Sequence, residues 1–393
     1  MKQVILKPRK AGPFYARHPW VLASAVAHVE GEPADGEVVG LLSDKGKFIA
    51  RGVYNSRSRI RVRLYSWNQA EEIDEVFWRR RLEAAIRLRE QLGYNQPQEA
   101  ARLVFSEGDN LSGLVVDRYA EFLVVQITAL AMAQRLPQIA PMLVDLTRPK
   151  GIFVRTEQNV CRAEGIELQE GLYWGEPPPG PVIIEEHGLG YEMELAKGQK
   201  TGFYLDQREN RLAAARYFRN RRVLDMFCYC GGFGLTAAAL GAREVLGIDI
   251  SREAVALAEA NAARNHLSNV RFQRGRAFQT LQALLDAGER FGGVVLDPPK
   301  FARSRRTVKE ALQAYHWLNR LAIGLLEADG ILVTCCCSGH VGREDFFKML
   351  IGVAQQTGRE IQILEQRGAA PDHPLNTACL DTEYLKCFIC RVQ

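Results

Sequence analysis

Arg222-Val223-Leu224-Asp225-Met226-Phe227, then Cys230-Gly231-Gly232-Phe233-Gly234, then an Ala- and Leu-rich stretch, is the passage that decides the fold. An apolar run of strand length, a glycine-rich turn and a helix-forming segment read as one strand–turn–helix unit. Outward from it the pattern repeats. Glu244-Val245-Leu246-Gly247-Ile248-Asp249 is the next strand, with a helix over 252–264. Val270–Gln273, Gly293–Asp297 and Gly330–Cys335 continue the series. Apolar strands alternating with helices predict a parallel, doubly wound α/β sheet. Ligands on such sheets bind at the carboxyl ends of the strands.

The glycines at 231, 232 and 234 let a ligand approach the backbone and a helix N-terminus. Asp249 ends the following strand, where an acid can hold both hydroxyls of a ribose. Gly232-Phe233-Gly234-Leu235-Thr236-Ala237 also fits the dinucleotide pattern GxGxxA, so the turn specifies a nucleoside cofactor and leaves NAD and S-adenosylmethionine open. Asp225 favours the second. An acid just before the glycines can meet the ammonium of a methionyl group, whereas it would repel the pyrophosphate of NAD.

Two further strand ends carry chemistry. In Asp297-Pro298-Pro299-Lys300 the paired prolines remove two backbone donors, so the strand stops and its carboxylate faces a cleft. Cys337-Ser338-Gly339 follows the fifth strand. A thiol there can serve carbon-5 methylation of a pyrimidine. The thiolate adds at carbon 6 and makes carbon 5 an enamine nucleophile; a base later removes the carbon-5 proton. Asp297 at the Watson–Crick edge would stabilise that addition. Lys300, Arg303, Arg305, Arg306 and Lys309 place positive charge beside the same cleft, where RNA phosphates would run.

The N-terminal part reads differently. Residues 1–70 hold 12 Lys and Arg against 5 Asp and Glu in a chain whose net charge is +5, so the remainder is slightly acidic. That asymmetry is the electrostatic footprint of a nucleic-acid binder. Short alternating runs at 37–42, 47–50 and 60–65, with turn signals between them, suggest a small β-barrel. Within Ile60–Tyr65 the period of two puts Arg61 and Arg63 on one face, as RNA contacts, and Ile60, Val62 and Leu64 on the other. A helix from Ile73 to about Leu92, strands at 113–117 and 122–126, a helix at 131–146 and a strand at 151–155 make a middle α/β unit. Trp174–Pro181 reads as a stiff connector. The expected division is 1–70, 71–178 and 179–393.

A hydrophobic content of 47% with 25% charged residues is that of a globular protein. No apolar run approaches the roughly 20 residues that span a bilayer, and the first residues lack a secretory signal, so a cytoplasmic location is expected. The nine cysteines form no framework. Cys387 and Cys390 lie three apart on a strand and face opposite sides, a poor pair for zinc or redox work, so no metal is expected.

Taken together, these residues resemble the bacterial 23S rRNA (cytosine-5)-methyltransferases that carry an N-terminal PUA domain. The likeness covers essentially the whole chain: Arg17-His18-Pro19-Trp20-Val21 and Gly46–Gly52 in the PUA-like part, then Glu107–Leu114 and Glu185-Glu186-His187-Gly188 in what looks like the middle domain. Lys200–Arg208 resembles the segment that closes over the cofactor, and Asp297–Phe301, Cys337–Gly339 and Asp372-His373-Pro374 complete the set. The resemblance implies a class I (Rossmann-like) methyltransferase sheet and S-adenosylmethionine as cofactor, with Tyr204 and Arg208 contacting it beside Asp225 and Asp249. It implies Cys337, rather than Cys335 or Cys336, as nucleophile, and Asp372 or His373 as a candidate for proton removal. It implies 23S ribosomal RNA as partner and allows a homodimer. One departure stands out: where this fold often has an acid after the third strand for the adenine amino group, this chain has Arg274-Gly275-Arg276.

Three alternatives compete. A methyltransferase acting on a guanine nitrogen or another RNA would need Asp297 and no thiol. An NAD-dependent oxidoreductase would use the glycine turn but leaves Asp297-Pro298-Pro299-Lys300 unexplained. A ribosome-assembly factor would bind RNA without catalysis.

Overall fold

The computed structural model describes residues 2–94, 96–195, 202–302 and 304–393. They gather into two compact units, one from 2–182 with 194–195 and 371–382, the other from 183–193, 202–370 and 383–393.

The first unit opens with β1 (Gln3–Leu6), the short helix α1 (Gly12–Tyr15), β2 (Trp20–Leu22), β3 (Val26–Glu30), β4 (Val38–Leu42), β5 (Phe48–Tyr54) and β6 (Ile60–Ser66). They form a six-stranded sheet in the order β2-β6-β5-β4-β1-β3 around Val4, Leu6, Val39, Leu41, Val62 and Leu64. α2 (Glu75–Gln91) follows. Its start is fixed by Asp74, whose side chain accepts from the Phe77 N–H, and its end by Gly93 in the left-handed region. Phe77, Trp78, Leu82 and Ile86 make its apolar face.

That face packs on a five-stranded sheet ordered β11-β10-β9-β8-β7, built from β7 (Ala100–Phe105), β8 (Leu114–Tyr119), β9 (Phe122–Ile127), β10 (Gly151–Arg155) and β11 (Gly171–Gly175). The helix expected over 131–146 is two, α3 (Leu130–Ala133) and α4 (Leu136–Thr147). Pro137 has no N–H to return to the Ala133 carbonyl, so the first helix ends and a second begins. α5 (Gln158–Glu164) follows β10. The connector is shorter than expected: Trp174 and Gly175 belong to β11, where Gly175 pairs with Gly151, because the β10 edge offered an unused ladder.

The second unit begins with the hairpin β12 (Val182–Glu186) and β13 (Leu189–Met193), then α6 (Arg208–Ala215). Glu185–Gly188, whose resemblance suggested the middle domain, lies in this second unit as the hairpin turn, because His187 and Gly188 both take positive φ.

The main sheet follows: β14 (Arg222–Met226), α7 (Gly232–Ala239), β15 (Glu244–Asp249), α8 (Arg252–Arg264), β16 (Val270–Arg274), α9 (Ala277–Asp286), β17 (Phe291–Leu296), α10 (Val308–Leu325), β18 (Leu326–Cys336), α11 (Arg343–Thr357), β19 (Ile361–Arg367) and β20 (Lys386–Val392). Strand order is β16-β15-β14-β17-β18-β20-β19. Five strands are parallel, as expected; β20 runs antiparallel to both its neighbours.

Period-two alternation sorts the side chains into two cores. Val223, Val295, Val333, Cys335 and Cys387 face α6 and α7, whereas Leu224, Val294, Leu332, Cys336 and Cys390 face the side covered by α10 and α11. Truncating one of these leucines to alanine would cost roughly 2–5 kcal/mol. Cys387 and Cys390 therefore occupy opposite faces, the arrangement their spacing implied.

Candidate active site

After β14 the chain makes a strained loop. Phe227, Tyr229 and Gly231 all have positive φ, a conformation that bulky residues hold only when their surroundings impose it. The Tyr229 N–H donates to Asp249 Oδ2 at 3.0 Å, and Asn261 Nδ2 donates to the Cys230 carbonyl at 3.1 Å. A Cβ on Gly231 would lie 2.9 Å from the Phe272 ring, so that position admits glycine alone for two reasons. The loop ends at the N-terminus of α7, where the Gly234 N–H donates to Asp225 Oδ2 at 2.8 Å.

Asp225 is buried, and its other oxygen, Oδ1, has no partner among the described residues. Burial, followed by the charges of Asp297 and Asp249, pushes its carboxyl up to about 8, against the pull of the Gly234 N–H. Asp249 takes two backbone N–H donors, from Tyr229 and Ser251, which aims its remaining lone pairs outward. The exposed Ile250 beside it gives an apolar wall.

Asp297 and Cys337 come together. Both are half-buried, and the Cys337 thiol points at the Pro298 carbonyl with Sγ 3.7 Å away. Burial and then Asp206 push Asp297 up to about 7, while a hydrogen bond from Gln207 Nε2 to its Oδ1 at 2.9 Å works the other way. Burial and then the Asp297 charge push the Cys337 thiol up to about 12. Among the three adjacent cysteines, Cys335 and Cys336 are fully buried in the two cores, and Cys337 alone stands beyond the strand end.

The segment before α6 closes one side of the site. Tyr204 is half-exposed, with its ring 5.4 Å from that of Tyr229. Arg208 is buried and ion-paired with Glu186 at 3.6 Å. Arg211, which no local pattern singles out, grips Glu186 through two hydrogen bonds of 2.6 and 2.7 Å, reaches the Tyr204 carbonyl and lies over the Phe203 ring. Tyr384, and the partners of Gln207 and Asp206 within the segment already marked, were missed for the same reason: each pairing is distant in sequence. The first two residues of Lys200–Arg208 lie outside the described residues.

Two groups of expected residues have partners within the first unit. Arg63, expected as an RNA contact, is one. It is buried, 3.4 Å from Glu107, 3.3 Å from Glu164 and 3.0 Å from Ser112 Oγ, because both faces of β6 are covered. Arg61 is half-buried and donates to the Asn55 and Ser56 carbonyls, so it braces a turn. Asp372 and His373 are buried in the first unit. Asp372 Oδ2 accepts from the Arg102 N–H at 3.0 Å, and its Oδ1 meets His373 Nδ1 at 2.7 Å, so both groups are engaged within the first unit. Lys300, Arg305 and Arg306 are exposed. Arg303 lies outside the described residues.

The site as built suits a cation. Asp206, Asp225, Asp249 and Asp297 crowd one another, the buried Asp225 Oδ1 is unpartnered among the described residues, and the nearby Arg211 is committed to Glu186. A ligand carrying an ammonium and a sulfonium would relieve that repulsion, whereas a pyrophosphate would add to it.

Comparison with known proteins agrees. Residues 4–67 match the PUA-like domain family, and residues 170–380 match the S-adenosylmethionine-dependent methyltransferase family. Ribosomal RNA large subunit methyltransferase I of Escherichia coli O139:H28 is 39% identical over 96% of this chain and 96% of its own length. The protein of the same name from Tolumonas auensis is 41% identical over 95% of both. SMU.776, solved in complex with SAH, shares the fold with a TM-score of 0.87 at 20% identity over the full length of both chains. No helix among the described residues is long and apolar enough to cross a membrane. With two family models matched and near-complete coverage of the relatives on each side, the chain belongs to the ribosomal RNA large subunit methyltransferase I family, S-adenosylmethionine-dependent methyltransferases in which a PUA-like domain precedes a Rossmann-like catalytic sheet.

Proposed function

We propose that this protein methylates carbon 5 of a cytosine in 23S ribosomal RNA through a covalent adduct with Cys337. The observation that carries the reading is the pairing of Cys337 with Asp297 at adjacent strand ends, next to the glycine turn. A guanine-nitrogen methyltransferase has no use for that thiol.

Bound S-adenosylmethionine supplies an electrophilic methyl group. Asp225 would hold its ammonium and Asp249 its ribose; Gly231, Gly232 and Gly234 would leave room for it beside the backbone, with Tyr204 and Arg208 as further contacts. Asp297, poised near neutral pH, gives a proton to the cytosine ring nitrogen as the Cys337 sulfur bonds to carbon 6. The target base must leave its stack to offer a ring face to that sulfur. Burial and the Asp297 charge push the Cys337 thiol up; a sulfonium bound beside it would favour the thiolate. Lys300, Arg305 and Arg306 meet RNA phosphates, as do Arg9, Arg17 and Lys47 of the PUA-like part, all exposed.

The test is transfer of labelled methyl to protein-free 23S rRNA by wild type and Cys337→Ala, followed by nucleoside analysis. Label in 5-methylcytosine that drops at least about a thousandfold in the variant is expected. Label that persists, or appears in a guanine, overturns the reading.

A further inference from the structure

The carbon-5 reaction leaves one role unfilled, the acceptor of the carbon-5 proton. The other carboxylates around the cleft have work already. Asp225 caps α7 and faces the cofactor, Asp249 takes two N–H donors, Glu186 is clamped by Arg211, and Asp297 serves the ring nitrogen. Asp206 is different. It sits on the turn Leu205–Gln207, next to the residue that hydrogen-bonds Asp297. Its Oδ2 accepts from the Tyr384 hydroxyl at 2.6 Å, and its Oδ1 is buried with no partner among the described residues. The Tyr384 carbonyl accepts from Lys386 Nζ at 2.9 Å, and the same ammonium donates at 2.9 Å to the carbonyl of Ser338, the residue after Cys337. Asp206 is thus tied by one short chain to Asp297 and by another to the nucleophile's own loop. Its charge is felt at both Asp297 and Cys337.

We infer that Asp206, oriented by Tyr384, is the base that removes the carbon-5 proton, with Oδ1 as the accepting atom. The inference rests on the cytosine-5 reading. After methyl transfer, carbon 5 bears both a hydrogen and the new methyl. Oδ1 takes the proton; the electrons of the C–H bond form the carbon 5–carbon 6 double bond; the carbon 6–sulfur bond breaks, and Cys337 leaves as thiolate. The ring nitrogen hands its borrowed proton back to Asp297, and the proton on Asp206 passes to the thiolate or to water.

Asp206→Asn keeps the Tyr384 hydrogen bond and cannot accept a proton. Mixed with rRNA and S-adenosylmethionine, it is expected to transfer one methyl per enzyme and stall. A Cys337-linked protein–RNA adduct should survive denaturing electrophoresis, with turnover down about 10²–10⁴-fold. Tyr384→Phe, which leaves the carboxylate in place, should slow turnover less, build up the same adduct transiently and shift the pH profile of release. RNA carrying 5-fluorocytidine separates the two failures, since fluorine cannot be removed as a proton and wild type should be trapped on it. If wild type is not trapped there, the cytosine-5 reading falls and this inference with it. If wild type is trapped but Asp206→Asn turns over normally, or neither Asp206→Asn nor Tyr384→Phe accumulates adduct on ordinary RNA, Asp206 is not the base and the reading stands.

Discussion

Buried charge is handled in opposite ways in the first unit and at the strand ends of the second. In the first, Arg89 is fully buried against Asp109 through two hydrogen bonds of 2.7 and 2.8 Å, and Arg63 is buried between Glu107 and Glu164. Every one of those acids faces a guanidinium. In the second, Asp225 and Asp297 are held among other acids, and both carboxyls are pushed far above the usual range. A protein gains nothing in stability from carboxylates that repel one another. The same residue types therefore mean architecture where they are neutralised and a ligand site where they are not.

The most direct challenge to this contrast is kinetic. Asp297→Asn should lower methyl transfer by about 10²–10⁴-fold while S-adenosylmethionine still binds, since an amide has no acidic proton to give. A variant with near-normal turnover would place Asp297 among the structural acids. Next in size is stability in the first unit. Arg89→Met strands Asp109 in the interior and should cost about 3–5 kcal/mol in denaturant unfolding; a cost under about 1 kcal/mol would mean that the pair is not architectural.

A smaller effect separates exposed from buried arginines. Arg17→Ala with Lys47→Ala should weaken RNA binding and reduce the slope of log affinity against log salt by about one for each phosphate left without its cation. Arg63→Ala should lower the melting temperature and leave that slope alone. An altered slope for Arg63→Ala would return it to the RNA-binding set.

The smallest effect is linkage. Asp225 keeps its proton in the folded state at pH values where the unfolded chain, near 3.8, has lost it. Its contribution is fully present below 3.8 and is lost as pH rises through about 8. Without cofactor, wild type should lose melting temperature between about pH 6 and about pH 8.5 more steeply than Asp225→Asn, and saturating S-adenosylmethionine should flatten the wild-type curve. Parallel curves for the two proteins would show Asp225 to be an ordinary cap.

Much of this chain can be read from neighbouring residues. The period-two strands from Arg222 onward, the glycine turn, the acids at strand ends and the basic N-terminal segment are legible in that way, because alternation, backbone freedom and charge are local properties. Which charges are neutralised depends instead on long-range packing. Arg63 looked like an exposed cation because period two fixes a face but not what covers that face. Asp372 and His373 entered as candidates through resemblance alone, and folding buries them in the first unit. Asp206 and Gln207 lay in a segment that resemblance had marked, but their partners, and Tyr384 altogether, carried no signal, because those hydrogen bonds span 90 and 178 residues of chain. Of Cys335, Cys336 and Cys337, only the last lies past the strand's end, and that end is set by pairing with β20, a strand far along the chain.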